Sequence, residues 1–174
     1  MKLEDLERCS RPELAALLKG GSPLALDALD DTVLFGRTLA SIGLVEKLTW
    51  KTFRKVVVNE RGERRGWNVR LVQGSTPSDT DGAIPMLDAR GEARAFGPFR
   101  VELGPNGGAW LDYGVPGNRG LAARVRDPLV DVGDGFVLGV SELHVLGTTF
   151  LTPSWFCLRA ERPVKPEDVW RASV

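Results

Sequence analysis

The stretch GFVLGVSELHVLGTTFLTPSWFCLRAE, residues 135–161, decides the predicted fold of this 174-residue chain. Two runs rich in β-branched and aromatic residues lie on either side of a glycine, a pattern typical of two paired strands. Side chains alternate between the two faces of a strand. The face that begins apolar and ends polar consists of Phe136, Leu138, Val140, Glu142 and His144. Such a face in a closed barrel would line an apolar cavity with a hydrogen-bonding end.

Strand-like segments also precede this pair, from about residue 52 onward, between turns rich in glycine, asparagine and proline. They are TFRKVVV, RRGWNVRLVQ, AIPMLDA, PFRVELG, GAWLDYG and the second half of NRGLAARVRDPLVDVG. The polar stretch GSTPSDTDG, residues 74–82, is predicted to be a surface loop. Roughly eight strands at hairpin spacing favour an antiparallel sheet. Glycines within the strand patterns, at Gly66, Gly114 and Gly139, permit the bends of a closed or strongly curled β-barrel.

A helical segment is predicted before the barrel. Ser10 has the character of an N-cap, with Pro12 in the first turn and Glu13 at the third helical position, and two glycines follow the apolar pattern. The stretch from residue 33 to residue 55 fits either a short helix or a strand and turn. We therefore expect a single domain over residues 1–174, with a helical lead and connector (1–31), a barrel (32–163) and a C-terminal tail (164–174).

Composition argues against several classes of function. Lysine plus arginine and aspartate plus glutamate both number 23, so no net field attracts a nucleic acid or an anionic membrane. The sequence has no phosphate-binding glycine motif, no GxSxG and no HExxH, and only one histidine. We expect no cofactor and no metal. The absence of a long apolar run and of a signal-like start, together with two isolated cysteines, predicts a cytoplasmic protein without membrane insertion.

Three residues are candidates for acid–base chemistry. Glu142 and His144 share a strand face and could exchange a proton near neutral pH, or could lie at a solvent-exposed strand end. Asp112 lies within a strand, where a carboxylate is unusual. It is either paired with an arginine, for which Arg100 and Arg159 are the candidates, or exposed on the outer face, and catalysis is the alternative to such a structural role.

Large side chains predict the ligand contacts. Tryptophan occurs five times and tyrosine once, and such residues either fill a barrel or line a pocket for a flat or apolar ligand. The candidate ligand-binding residues are Trp67, Asn68, Tyr113, Trp155, Phe136 and Leu138. Ordinary core packing is the alternative for each tryptophan.

The C-terminal half also resembles a known group of proteins. WLDYG, then RVRDPLVDVGDGFVLGVSELHV and finally FLTPSWFCLRAERP are similar to a bacterial single-domain family in which LDYG precedes an RDxLV motif and an aromatic strand ends the chain. The resemblance spans residues 110–163, with a weaker likeness around WKTF and GWNV. It implies a calycin-like, that is lipocalin-like, β-barrel and assigns no function.

Two main functions fit these predictions. The barrel could bind a small, largely apolar molecule in its interior. Alternatively, it could be a cofactor-independent enzyme, such as a cyclase or isomerase acting on a polyketide-like or terpenoid substrate, with Glu142 or Asp112 as the general acid or base. A protein-interaction module is a third possibility. The presence and polarity of an internal cavity distinguish among the three, and the oligomeric state is left open.

Overall fold

Nine strands form the sheet of the computed structural model, which describes residues 1–39, 51–72 and 85–169. The loop predicted at residues 74–82 and most of the ambiguous stretch after residue 39 lie outside these ranges. The strands are β1 (Ser22–Pro23), β2 (Thr32–Thr38), β3 (Thr52–Glu60), β4 (Glu63–Arg70), β5 (Ala95–Leu103), β6 (Ala109–Asp112), β7 (Val125–Asp131), β8 (Phe136–Val145) and β9 (Thr148–Pro163).

Strands β2 to β9 form a closed antiparallel barrel. Each pairs with the next strand in the chain, and β9 pairs with β2, so the eight strands make an up-and-down meander without free edges. The two-residue β1 adds to β7 outside this ring. The prediction of a mainly β, closed antiparallel barrel with an N-terminal helical segment is confirmed.

One end of the barrel is filled with apolar side chains. At this end the inward-facing residues of the strands pack with Leu24 and Leu29, which come from the connector and its 3-10 turn Leu26–Leu29. The strand residues in this packed layer include Leu34, Val57, Val101, Ala109, Leu111, Leu129 and Leu158. The connector thus closes this end, and among the described residues a cavity lies toward the opposite end of the strands.

Two of the three glycines that the sequence singled out give space to aromatic rings inside the barrel. A Cβ on Gly66 would lie 2.4 Å from the Phe99 ring, and a Cβ on Gly139 would lie 2.4 Å from the Phe156 ring. The rings therefore occupy the space that a side chain at these positions would need. Gly114, by contrast, follows β6 rather than lying within it. The sequence predicted bends at these glycines, and the register of β4 and β5 does shift between Gly66 and Asn68. Gly66 and Gly139 also make room for side chains.

The helical segment consists of α1 (Leu3–Arg8) and α2 (Arg11–Gly20). Helix α2 begins directly after Ser10, whose backbone N–H and hydroxyl both donate to the Glu13 carboxylate, at 2.7 and 2.6 Å. Leu6 and Leu14 are fully buried against the outer face of the barrel. Among the described residues no helix has the length and apolar character that crossing a membrane demands.

Candidate functional site

A cavity of about 300 Å³ occupies the unfilled end of the barrel and is open on one side. The meander brings together here the carboxyl ends of the even-numbered strands and the amino ends of the odd-numbered ones. Its apolar lining includes Phe53, Phe96, Val125 and Phe156, and its polar lining includes Lys55, Asn68, Tyr113, Asp127 and Ser141. The volume is at the lower end of the range usual for small-molecule sites.

Strand alternation places a lysine in the barrel interior. Phe53 and Val57 both belong to the interior apolar cluster, and Lys55 lies between them on the same face of β3. Lys55 is directly opposite Asn68 of β4 in the strand register. The two polar side chains therefore meet inside the barrel, where each is at most 5% exposed.

Strands β6 and β7 supply the other half of this polar group. Asp127 is directly opposite Leu111, an interior residue of β6, and shares its inward orientation. Tyr113 follows β6, and its backbone N–H continues the ladder by donating to the carbonyl of Val125 at 3.1 Å. We refer to Lys55, Asn68, Tyr113 and Asp127 as the lysine cluster.

The ammonium group of Lys55 is held by hydrogen bonds and surrounded by aromatic rings. Its Nζ donates to Asn68 Oδ1 at 2.8 Å and to the Tyr113 hydroxyl at 2.6 Å, and lies 3.8 Å from Asp127 Oδ2. Four ring centroids lie 5.1 to 5.4 Å from Nζ, those of Phe53, Phe99, Tyr113 and Phe156. Such rings attract a cation and exclude water from it.

Burial shifts the pKa of each ionisable group in the lysine cluster toward its neutral form. Loss of hydration lowers the pKa of Lys55 to about 8, and the attraction of Asp127 only partly opposes this. Loss of hydration likewise raises the pKa of Asp127, against the opposing effect of Lys55. The pKa of Tyr113 is raised by burial and then by the negative charge of Asp127. Charge on either Lys55 or Asp127 therefore comes at a cost in stability.

Asp127 has unused hydrogen-bonding capacity. The residue is 2% exposed, and its Oδ1 atom has no hydrogen-bond partner among the residues that the structure describes. A buried carboxylate oxygen without a donor is rare and costs free energy. Lys55 likewise has three N–H donors, of which two are used by Asn68 and Tyr113. The lysine cluster can thus make further polar contacts.

Backbone geometry around Asn68 and Tyr113 orders one side of the cavity mouth. Asn68 Nδ2 donates to the Gly97 carbonyl at 2.9 Å. Gly97 has φ of +53°, and a Cβ there would lie 3.1 Å from Asn68 Nδ2. A larger residue would therefore be strained both by its backbone conformation and by its contact with Asn68. Asn118 Nδ2 donates to the carbonyls of Pro98 and Tyr113, at 2.6 and 2.7 Å. These bonds hold the segment after β6 against the start of β5.

Two of the six predicted ligand-binding residues line the cavity. Asn68 and Tyr113 both contact Lys55, and the structure brings them together from β4 and the end of β6. Their nearness could not be deduced from the sequence, because 45 positions separate them.

The other four predicted ligand-binding residues pack on the outside of the barrel. Trp67 belongs to a cluster of outward-facing valines. Trp155 and Leu138 pack with Leu14 of α2, and Phe136 packs with Leu6 of α1. The sequence pattern showed correctly which residues share a face. It did not show that the outer face is covered as well, by the N-terminal helices at β8 and β9 and by Val164 and Val169 at Trp67. This cover makes the outer face apolar although it is not internal.

Glu142 and His144 lie together on the outer face of β8. Their neighbour Ser141 lines the cavity, so alternation directs both side chains away from it. His144 Nε2 is 3.3 Å from Glu142 Oε2, and His144 Nδ1 is 3.1 Å from Thr149 Oγ1. The centroid of the imidazole ring lies 6.2 Å from that of the Trp110 ring. The two residues form a contact at the surface and do not meet the lysine cluster.

Asp112 also faces outward, within a row of alternating charges. In the register of β5, β6, β7 and β8, Arg100, Asp112, Arg126 and Glu142 lie side by side. Asp112 Oδ1 is 3.5 Å from Arg126 Nε, and Oδ2 is 4.0 Å from a terminal nitrogen of Arg100. Pairing with Arg100 is one of the alternatives that the sequence raised, whereas the nearer Arg126 was not among the candidates.

Sequence reasoning missed Lys55 and Asp127. A signal existed in each strand, because Lys55 interrupts an otherwise apolar face in TFRKVVV and Asp127 interrupts one in VRDPLV. A charged residue at an apolar-face position is expensive to bury, and such positions are candidates for function. Asp112 is also a carboxylate within a strand, but its face is the polar outer one.

Comparison with known proteins identifies the fold alone. No protein-family model and no curated protein sequence matches the chain. Among solved structures, a protein from Thermomonospora curvata superposes with a TM-score of 0.53 at 16% sequence identity, covering 91% of this chain and 99% of that protein. At this level of identity the likeness concerns the barrel and carries no activity with it.

Proposed function

We propose that the barrel binds a small molecule that has a largely apolar body and a polar end group, with the end group held at the lysine cluster. The observation that carries the proposal is a buried lysine and aspartate facing an open cavity of about 300 Å³ inside an otherwise packed barrel. Protein interiors are normally filled to the density of organic crystals, and an eight-stranded barrel is narrow enough for side chains to fill. Space beside unsatisfied polar atoms is the usual form of a ligand site.

The lining of the cavity supports a ligand with two chemically different ends. Phe53, Phe96, Phe156 and Val125 offer apolar contact along the walls. The polar groups converge on one side, where Lys55 has a free N–H donor direction and Asp127 has a free acceptor atom. Since Lys55 and Asp127 neutralise each other, the cluster suits a neutral polar group, such as a carbonyl or hydroxyl, at least as well as an anion.

The wider relationship of the protein belongs to the same proposal. A sequential eight-stranded barrel with one closed end and one open end is compatible with the calycin-like family that the C-terminal half resembles. In such a barrel the closed end limits the depth of the ligand and the open end admits it. The residues we propose for contact are Asn68 and Tyr113, as the sequence suggested, together with Lys55 and Asp127.

Calorimetric titration with simple amphiphiles tests the proposal. The probes are octan-1-ol, octanoate and 1-naphthol, which share a small apolar body and differ in shape and end group. We expect at least one of them to bind the wild-type protein in a one-to-one ratio. Lys55→Met combined with Asp127→Asn, which leaves no lone charge in the barrel, should weaken binding of that probe by about tenfold, which equals about 1.4 kcal/mol, because a buried charged hydrogen-bond donor is lost.

A pair of neighbouring variants controls for non-specific binding. Ala122 lines the cavity, whereas the adjacent Leu121 does not line it and is 64% exposed. Ala122→Trp places an indole at the mouth and should weaken binding, while Leu121→Trp adds the same group at the surface and should not. Equal affinity in the two tryptophan variants, or no binding of any probe by the wild-type protein, would overturn the proposed function.

A further inference from the structure

The amine of Lys55 is positioned as a nucleophile as well as a hydrogen-bond donor. It lines the cavity, yet the side chain is 3% exposed, so a molecule must enter the barrel to reach it. Asn68 Oδ1 and the Tyr113 hydroxyl fix its position at 2.8 and 2.6 Å. Lysine amines react with carbonyl carbons when they are desolvated in an apolar pocket, because more of the amine is then neutral.

We infer that Lys55 forms an imine with an aldehyde or ketone ligand held in the cavity, an inference that rests on the proposed binding function. The neutral Nζ attacks the carbonyl carbon, a C–N bond forms, and the carbonyl oxygen becomes a hydroxyl as it takes up a proton. The carbinolamine then loses this hydroxyl as water while the nitrogen lone pair completes the C=N bond. The overall change is amine plus carbonyl to imine plus water, so no oxidant or reductant is required.

The residues around Nζ fit the proton transfers of this sequence. The Tyr113 hydroxyl at 2.6 Å can hand a proton to the developing oxyanion and recover one from the nitrogen. Asp127, whose Oδ2 lies 3.8 Å from Nζ, is the counter-charge for a protonated imine. The unpartnered Oδ1 atom of Asp127 offers an acceptor for the N–H of that imine. Asp127 thus has a role in the reaction, whereas an ion pair that only stabilised the fold would have none.

The aromatic surroundings favour the imine over its hydrolysis. In water, imines of simple aldehydes revert readily to amine and carbonyl, whereas exclusion of water protects reactive intermediates. Phe53, Phe99 and Phe156 place ring centroids 5.1 to 5.3 Å from Nζ. With the ligand's own apolar body in the cavity, these rings limit the access of bulk water to the C–N bond. At neutral pH the lowered pKa of Lys55, about 8, also leaves roughly a tenth of the amine neutral.

Reductive trapping tests the inference directly. The full-length protein is incubated with octanal and sodium cyanoborohydride near neutral pH, and the intact mass and peptide map are measured. Reduction of the imine fixes an octyl group on the modified lysine. We expect trapping at Lys55 at least about tenfold faster than at the exposed Lys19 and Lys165, because an ordinary lysine has far less neutral amine.

Three variants separate this chemistry from general lysine reactivity. Lys55→Arg keeps a cation in the barrel but cannot form an imine. It should abolish the fast phase, that is, the rapid trapping expected at Lys55. Ala122→Trp keeps the Lys55 amine and obstructs the mouth of the cavity, so it should slow trapping at Lys55. This variant tests the inference even if the Lys55→Arg protein folds poorly. Lys51→Met removes an exposed lysine just before β3 and should leave the fast phase unchanged.

Comparison with octan-1-ol distinguishes failure of the inference from failure of the proposed function. Octan-1-ol has the same chain as octanal and no carbonyl carbon. If octan-1-ol binds and octanal is not trapped faster at Lys55 than at Lys19, imine formation is refuted and the binding function stands. If neither probe binds and no selective trapping occurs, both are refuted. Selective trapping that octan-1-ol suppresses by competition supports both.

Discussion

Replacing the buried charge pair by neutral residues should change how stability depends on pH. The informative variant is Lys55→Met with Asp127→Asn, because both replacements keep nearly the same shape and neither leaves a lone charge in the barrel. Lys55 is 3% exposed and Asp127 2% exposed, so solvent screens the pair little. Removing Lys55 alone would leave Asp127 as an uncompensated buried charge, a loss that is typically severe.

The pKa of Lys55 sets the expected size and sign. Folding lowers this pKa from 10.5 to about 8, which corresponds to about 3 kcal/mol in favour of the neutral amine. Below pH 8 the lysine is charged in both the folded and the unfolded protein, and the whole of this amount destabilises the folded state. Between pH 8 and pH 10.5 the folded protein releases the proton first, so the unfolded state binds more protons and stability rises with pH.

Urea unfolding followed by tryptophan fluorescence, near pH 7 and near pH 10, measures the effect. Relative to the double variant, the wild-type protein should gain about 2 to 3 kcal/mol between these pH values. Taking the difference cancels groups that both proteins share, such as Cys157, whose buried thiol has a pKa of about 12. A difference in unfolding free energy that stays constant from pH 7 to pH 10 would refute a desolvated Lys55.

Further substitutions test the barrel and its two faces. Leu158→Ala, at a fully buried position of β9, should lower the free energy of unfolding by about 2 to 5 kcal/mol in urea titrations. A loss below about 1 kcal/mol would contradict the apolar packing at the closed end of the barrel. Gly139→Ala should cost about 1 to 3 kcal/mol and weaken probe binding in calorimetry, because its methyl group meets the Phe156 ring that lines the cavity. Glu142→Gln should leave probe affinity within about twofold of wild type, since this side chain lies outside the barrel, and a larger loss would refute that placement. Cys157 should resist iodoacetamide in the folded protein, because burial raises its pKa to about 12, and mass spectrometry showing equal alkylation before and after unfolding would refute this.

The sequence predicts the barrel well because the relevant signals are local. Alternation, turn residues and the capping box at Ser10 each involve positions a few residues apart, and most of the predicted strands correspond to observed ones. The predicted strand AIPMLDA is an exception, because its described part, from Pro85 on, forms only two isolated bridges, Leu71 with Pro85 and Leu87 with Ala93. The ring closure between β2 and β9 is different, since it joins residues more than a hundred positions apart. Closure was inferred from glycine within strands, and the structure shows that Gly66 and Gly139 serve to admit aromatic rings.

The sequence does not show which face of each strand points into the barrel, and this limits prediction of the site. In β8 the residues Phe136, Leu138 and Val140 are apolar and share a face, which is also what a barrel interior would show. Here the outer face is buried too, beneath α1 and α2, so both faces of the strand are apolar over part of its length. Periodicity alone could not tell the two apart. The distinguishing residues were the single charges at interior positions of β3 and β7, Lys55 and Asp127.

The lysine cluster lowers the stability of the fold. This cost favours a functional role for its residues over a purely structural one. An apolar pair of similar volume would fill the barrel without desolvating two charges, and replacement of buried ion pairs by such residues often stabilises proteins. The surrounding barrel already packs Leu111 and Leu129 against the same strands, so apolar filling fits this interior. The cavity moreover lies directly beside the charges rather than in the apolar layer, where empty space would cost only packing contacts. Charge, space and an unpartnered carboxylate oxygen thus coincide at one end of the barrel, as expected where a ligand completes the interactions that the protein leaves open.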